Sequence, residues 1–441
     1  KDDDINPDVL GYIFEKYINQ KAFGAYYTRP EITEYLSERT IYKLVLDRVN
    51  TKGIHGVIAP VNFKSISDLL INLDARLCKQ LLFDILPYIS ILDPACGSGA
   101  FLVAAMKTLI NLYSAIIGKI EFLNDINLKT WLVEIHKKHA SINYFIKKSI
   151  ITDNLFGVDI MEEATEIAKL RLFLALVASA TSVDELEPLP NIDFNIMPGN
   201  SLIGLLKVDN KTFEESLDLV TQSYYHTYAE KLEERNRLLD TYRHASSYAD
   251  DLRALRDNIE KKSNEVRGTL DRLLLDEFDK LGIKYEEATW DEKKNKEGKP
   301  KKRALRMDDL KRLKPFHWGF EFSEIIGKRG GFNAIVTNPP WEIFKPNGKE
   351  FFEEYSELVS KKKMSIKEFE KEQGKLLKDK DILKAWLAYL SEYPHVSEFY
   401  RNATQYKNQI SIVNGKKAGT DINLYKIFTE QCFNLMSKYG E

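Results

Sequence analysis

Cysteine is scarce. Cys78, Cys96 and Cys432 are the three in 441 residues, and they lack metal-ligand spacing. That argues against a disulfide framework or a zinc site, so no metal is expected, and it fits a reducing cytoplasm. No apolar run approaches the ~20 residues of a bilayer span and no signal peptide opens the chain, so no membrane partner is expected. No long internal repeat is visible. An excess of one charge is lacking too: the formal net charge is -2, with basic and acidic residues unevenly spread. That balance is silent about partners. The chain opens on Lys1 rather than Met, which reads as a piece of something longer. With 44% hydrophobic content it has material for one large domain plus an insertion, or for two to three domains.

What is present centres on Asn338-Pro339-Pro340-Trp341, which ends the apolar run 332–337. Ala334-Ile335-Val336 predicts a short buried strand that the two prolines forbid from continuing. Asn338 then sits at the carboxyl end of a strand, where open α/β sheets place ligands. Its amide oxygen and the Pro339 carbonyl are two acceptors, and Trp341 is a flat π-face. Such a set suits a planar amino-aromatic group, as an adenine of a flipped-out nucleotide would present. The alternative is a strand ending in a rigid turn with a buried tryptophan.

Three earlier stretches have the same strand-end character. Ser90–Asp93 predicts a first parallel strand running into Asp93-Pro94-Ala95-Cys96-Gly97-Ser98-Gly99, with a helix from Leu102 to Tyr113. Strand, Gly-x-Gly turn and helix let a ligand approach the backbone closely. Leu102 stands where a dinucleotide fingerprint needs its third glycine, so a cofactor without a pyrophosphate is favoured over NAD. Leu155–Ile160 predicts a second strand whose Asp159 is placed to accept from two ribose hydroxyls, followed by a helix over 162–177. Asp159 lies much farther from Asp93 than the ~20 residues usual for that role, so 118–150 reads as an insertion or a lengthened crossover. A third strand over 192–196 leads to Gly199-Asn200, where Asn200 could read an adenine edge or simply make a turn.

Asn6–Asn19 predicts a helix, and Gly24–Ile32 a loop entering a second one with Thr28 as N-cap. Tyr26 and Tyr27 before that helix start would present a hydroxyl and backbone N–H groups to a carboxylate. From Tyr224 to Leu281 a charged stretch with apolar residues at helical spacing predicts a long αα-hairpin, broken at Ala245-Ser246-Ser247. Residues 293–314 form a basic tract, read as a mobile loop that either touches phosphates or is merely solvated. Residues 351–387 read as a polar helical region, 421–439 as an amphipathic helix, and the chain ends in a turn.

Together, in this order, Gly24–Ile32, Asp93–Phe101, Gly157–Ile160 and Asn338–Trp341 resemble the gamma-class adenine-N6 DNA methyltransferases. They are most similar to the methyltransferase regions of type IIG restriction-modification enzymes and related phage-defence methylases. Pro315-Phe316-His317-Trp318 and Asn423-Leu424-Tyr425-Lys426 agree with this, and the likeness spans most of 6–205 and 315–439. The resemblance implies an α/β fold: a Rossmann-like methyltransferase sheet with helices on both faces, an N-terminal helical segment and an inserted αα-hairpin. The implied parts are 1–30, a cofactor-covering segment; 31–205 and 315–441, two pieces of the core; and 206–314, the hairpin with its basic loop. Further sheet strands and a target-recognition domain that follow in the family are not in this sequence.

It also implies S-adenosyl-L-methionine as cofactor and double-stranded DNA with a flipped adenine as substrate, with a nuclease domain or subunit in the longer protein. Tyr26, Tyr27 and Thr28 would line the methionine end of the cofactor. Asp93, Ala95, Gly97 and Gly99 would form its turn, Asp159 would hold the ribose with Ile160 beside it, and Asn200 would lie near its adenine. Asn338, Pro339, Pro340 and Trp341 would receive the target base. Alternatives are methylation of a protein glutamine or an RNA base, whose NH2 suits the same turn, or a non-catalytic DNA-binding or assembly fragment.

Overall fold

The structure, a computed structural model, describes residues 28–52, 62–139, 141–178, 187–245, 250–361, 364–409 and 421–441, with a few isolated positions besides. The predicted helix over 6–19 lies outside the described residues except for Val9, Gly11 and Ile13, which are helical. Four short apolar segments make a parallel sheet: β1 (Ile91–Asp93), β2 (Leu155–Asp159), β3 (Ile196–Pro198) and β4 (Ala334–Ile335), in the order β3-β2-β1-β4. Ile91 pairs with Leu155 and Ala334, and Leu92 with Phe156 and Ile335. Side chains alternate between two buried layers, which is why these strands read as continuous apolar runs. Ile91, Leu155, Ile196 and Ala334 enter one layer, while Leu92, Phe156, Val158 and Met197 enter the other.

The first layer is built by α1 (Pro30–Lys52), α2 (Ala100–Phe122) and α3 (Glu162–Val177). α2 is 23 residues long and, by length and composition, apolar enough to cross a membrane, contrary to the expectation that no such run exists. Lys107 and Lys119 hide this in the sequence. In the fold its apolar side chains, Leu102, Leu109 and Ile116 among them, are buried against the sheet and its neighbouring helices. The other layer holds the predicted hairpin, α4 (Tyr225–His244) and α5 (Asp250–Lys280), which packs Leu239, Tyr242 and Ile259 against Phe316, Trp318, Phe322 and Phe332.

A buried ion network ties that hairpin to the aromatic segment. Arg235 of α4 and Arg267 of α5 both grip Glu321, at 2.9 and 2.7 Å, and Arg235 also donates to Ser263 Oγ and the Phe320 carbonyl. Its guanidinium lies 4.3 Å from the centroid of the Phe320 ring. The charged hairpin is thus wedged into the core by its own charges.

Three expectations need correction. The third strand is Ile196–Pro198 rather than 192–196. The Asn195 side chain donates to the Thr152 carbonyl (2.7 Å) and its N–H closes a turn on Ile192 O, so the chain becomes a strand only after it. The basic tract is not a loop: Tyr285–Glu287 pairs antiparallel with Lys301–Arg303, and Trp290–Asp291 with Lys296–Glu297. Arg303 holds Asp309 with both terminal nitrogens (2.6 and 2.8 Å) and stacks on Tyr285, which pins this ribbon to the helix that follows it. Finally, the residues after α6 (Leu424–Leu435) do not form a free turn. They run along β4, with Ser437 N–H donating to Phe332 O and Ile335 N–H to Glu441 O.

Candidate active site

Strand order reverses at β1: β2 and β3 lie on one side, β4 on the other. The carboxyl ends of β1 and β4 therefore flank a topological switch point, where open sheets leave a crevice. Val336 N–H donates to Leu92 O (3.0 Å), so the turn after Asp93 and the turn after Val336 leave neighbouring strands at the same edge.

The first turn is shaped by two left-handed residues, Gly97 (φ 49°) and Gly99 (φ 82°), and α2 begins at Ala100. A Cβ on Gly97 would meet nothing within 4 Å, so this backbone faces open space. A Cβ on Gly99 would lie 2.9 Å from the Ala168 Cβ, so the turn is pressed against α3. Asp93, buried at the end of β1, accepts from Ala95 N–H (3.1 Å). Asp159 reaches from β2 and accepts from Gly97 N–H (2.9 Å) and Met161 N–H (3.0 Å). Burial pushes its carboxyl above the ordinary value, against the pull of those two N–H groups. Each oxygen spends one lone pair on the backbone, and a carboxylate has room for two further donors.

Ile160 next to it is exposed. Asn200 follows β3, and its Oδ1 accepts from Leu202 N–H (3.0 Å), the turn geometry weighed from the sequence. Its neighbour Ser201 donates to the Pro94 carbonyl (2.5 Å), while the Ser201 carbonyl accepts from Trp318 Nε1 and from Gln431 Nε2 of α6. The glycine turn is held from three elements. His317 shares in this scaffold, with Nδ1 accepting from Leu205 N–H and Nε2 donating to Asp271. Burial pushes the Cys96 thiol well above its ordinary value, and burial together with Asp93 raises Cys432 to about 12. Both thiols stay protonated and are poor nucleophiles.

At the second turn Asn338 donates through Nδ2 to Thr28 Oγ1 (3.1 Å) and accepts through Oδ1 from Trp341 Nε1 (2.9 Å). Thr28 thus does not cap the helix: Arg29 stands there, its carbonyl accepting from Thr33 N–H (3.2 Å). Tyr26 and Tyr27 lie outside the described residues. Trp341 is 60% exposed, which overturns the buried-tryptophan alternative, and its ring stacks on Tyr425 with centroids 5.1 Å apart. The Pro339 carbonyl takes no hydrogen bond among the described residues, and Pro339 and Pro340 are half-buried. The side-chain oxygen of Asn338, read as an acceptor for a substrate amine, already accepts one hydrogen bond from the motif's own indole and keeps a second lone pair.

Thus Asp93, Ala95, Gly97, Gly99, Asp159 and Asn200 meet around one turn, and Thr28 joins the other through Asn338. Tyr425 and Ser201 were missed. Their roles depend on which strands and turns become neighbours, and the one hint was an aromatic in Asn423-Leu424-Tyr425-Lys426 after the tetrapeptide.

Two family models match the chain: the Eco57I restriction-modification methylase over residues 153–384 and the MmeI DNA-methyltransferase domain over 72–201. The first runs through the hairpin and the basic ribbon, which had no motif of their own. A putative type II restriction enzyme and methyltransferase of Methanocaldococcus jannaschii is 33% identical over 389 residues, covering 79% of this chain and 31% of that protein. A type II restriction enzyme and methyltransferase of Escherichia coli is 31% identical over 121 residues, 25% of this chain and 11% of its own length. The chain thus spans about a third or less of the curated relatives it matches.

Proposed function

The chain belongs to the Eco57I restriction-modification methylase family, and from that premise we propose that it methylates the N6 amine of adenine in double-stranded DNA, with S-adenosyl-L-methionine as donor. One observation carries the reading: the open glycine turn and the Asn338 turn leave adjacent strands at one edge of the sheet.

The residues fit the cofactor. The open space above Gly97 suits a ligand lying on the backbone, and Asp159 has acceptor capacity left for ribose hydroxyls. Ile160 offers an apolar surface beside it, and Asn200 precedes Ser201, which bonds Pro94 of the glycine turn. When bound, the cofactor supplies a methyl group made electrophilic by its positive sulfur. The protein's task is to hold the amine. Asn338 Oδ1 and the Pro339 carbonyl accept its two N–H bonds, and the Trp341 face supports the ring plane. That leaves the nitrogen lone pair pointing out for an in-line displacement, a reaction that needs positioning more than acid–base work.

The relatives' names support a restriction-modification setting, with a nuclease domain or subunit as partner. The ribbon over 285–303 exposes Lys293, Lys294, Lys299 and Lys301, a suitable contact for phosphates. Tritium-labelled cofactor incubated with unmethylated phage DNA tests the proposal. Label recovered in N6-methyladenine after digestion supports it; label in cytosine, or in protein alone, overturns it.

The glycine turn supplies a second expectation. Gly99→Ala should weaken cofactor binding at least about tenfold, since left-handed backbone costs alanine about 1–2 kcal/mol and the new methyl presses on Ala168. Adding Ala168→Gly should recover part of the loss, because it relieves the contact but not the backbone. Calorimetric titration of both variants measures this, and unchanged affinity in Gly99→Ala would place the cofactor elsewhere.

A further inference from the structure

Trp341 and Tyr425 face one another for a reason that lies in the backbone. Just past the Asn-Pro-Pro-Trp turn the chain makes an antiparallel bridge, Ile343 with Asn423. Phe344 N–H donates to Ile422 O (2.8 Å) and Leu424 N–H to Glu342 O (3.0 Å). Trp341 stands two residues before that bridge, and Tyr425 two residues after it, in the first turn of α6. Their rings stack at 5.1 Å with planes 24° apart. Three constraints act on one exposed indole: the bridge sets its place, Tyr425 covers one face, and Asn338 accepts its N–H at 2.9 Å.

We propose that Tyr425 is a positioning residue of the base pocket: it holds the Trp341 indole so that the uncovered ring face and Asn338 Oδ1 meet the incoming base together. This rests on the functional reading above. An indole nitrogen is a donor only and an amide oxygen accepts two hydrogen bonds, so the Trp341 N–H orients Asn338 Oδ1 and leaves its second lone pair for an exocyclic amine. Removing that N–H leaves a half-buried acceptor short of a partner and free to turn. The Tyr425 ring keeps the indole from swinging away, so its uncovered face meets the base.

Two measurements on the full chain test this. The first is a 15N–1H spectrum of the indole groups, in which five tryptophans give five signals and Trp341→Phe identifies the one that matters. That signal should shift in Asn338→Ala and shift or broaden in Tyr425→Leu; an unchanged signal in both overturns the proposal. The second is methyl transfer to unmethylated phage DNA. Tyr425→Leu should raise KM for DNA about tenfold with kcat within about threefold, and Tyr425→Phe, which keeps the ring, should restore it. Wild-type KM in Tyr425→Leu, or equal loss in both variants, overturns the positioning role. A wild-type protein that binds DNA and transfers nothing to it defeats the functional reading itself; a normal wild-type rate with a normal Tyr425→Leu defeats the inference alone.

Discussion

Asn338→Ala is expected to lower methyl transfer at least about a hundredfold while leaving cofactor affinity within about threefold. Losing one group that holds the reacting atoms in a water-poor site typically costs about a hundred- to a thousandfold in rate. Asn338 is that group, because it ties the base turn to Thr28 as donor and to the Trp341 indole as acceptor. The cofactor turn is held separately, by Asp159 on Gly97 and Ser201 on Pro94, so its shape should survive. Single-turnover transfer and calorimetric titration on the same sample separate the two effects. Loss of both would mean that Asn338 supports the cofactor through Thr28 rather than receiving the base. Activity near wild type would remove it from the chemistry altogether.

Glu321→Gln should destabilise the fold by about 3 kcal/mol or more, far more than a surface change. Glu321 is buried between Arg235 and Arg267, and neutralising it leaves the buried Arg235 guanidinium without its counter-charge while Arg267 keeps only Glu260. The sign of the pH dependence follows. Burial alone would raise the Glu321 carboxyl, but Arg267 and Arg235 outweigh it and hold it below the usual carboxylate range. A depressed carboxylate contributes stability that is fully present above its unfolded value and is lost as pH falls through the folded one. Wild type should therefore lose stability on the acid side of about pH 4, and the Gln variant should lack that part of the slope. Urea melts at several pH values measure both, read as a shifted midpoint with an unchanged m-value. Equal midpoints at neutral pH would show that the hairpin is held by its apolar face alone. Because α4 and α5 pack on the strands carrying Phe156 and Met197, the same variant should also lower cofactor affinity near its melting midpoint, but not far below it.

The strand ends were legible in the sequence because each is a short apolar run stopped by a residue with a backbone reason to stop. Asp93 with its glycine turn, Asp159, and Asn338 with its prolines all fall there. Helix α3 was read to its observed ends, since two glutamates open it and an apolar stretch continues to Val177. The third strand was misplaced by an asparagine whose side chain serves as a backbone partner, which alternation cannot reveal. The ribbon was misread because its lysines look solvated one by one. Only pairing with Tyr285–Glu287, and the grip of Arg303 on Asp309, make it regular structure.

By itself, then, the sequence determined the local chemistry: which residues can adopt a left-handed turn, where strands must end, and which groups carry acceptors for an amine. Tertiary structure decided the neighbours. That Thr28 meets Asn338, that the indole caps that amide, and that Tyr425 stands behind it all depend on contacts between segments far apart in the chain. Spacing along one strand sets which side a residue faces, but only pairing with another strand sets what it faces.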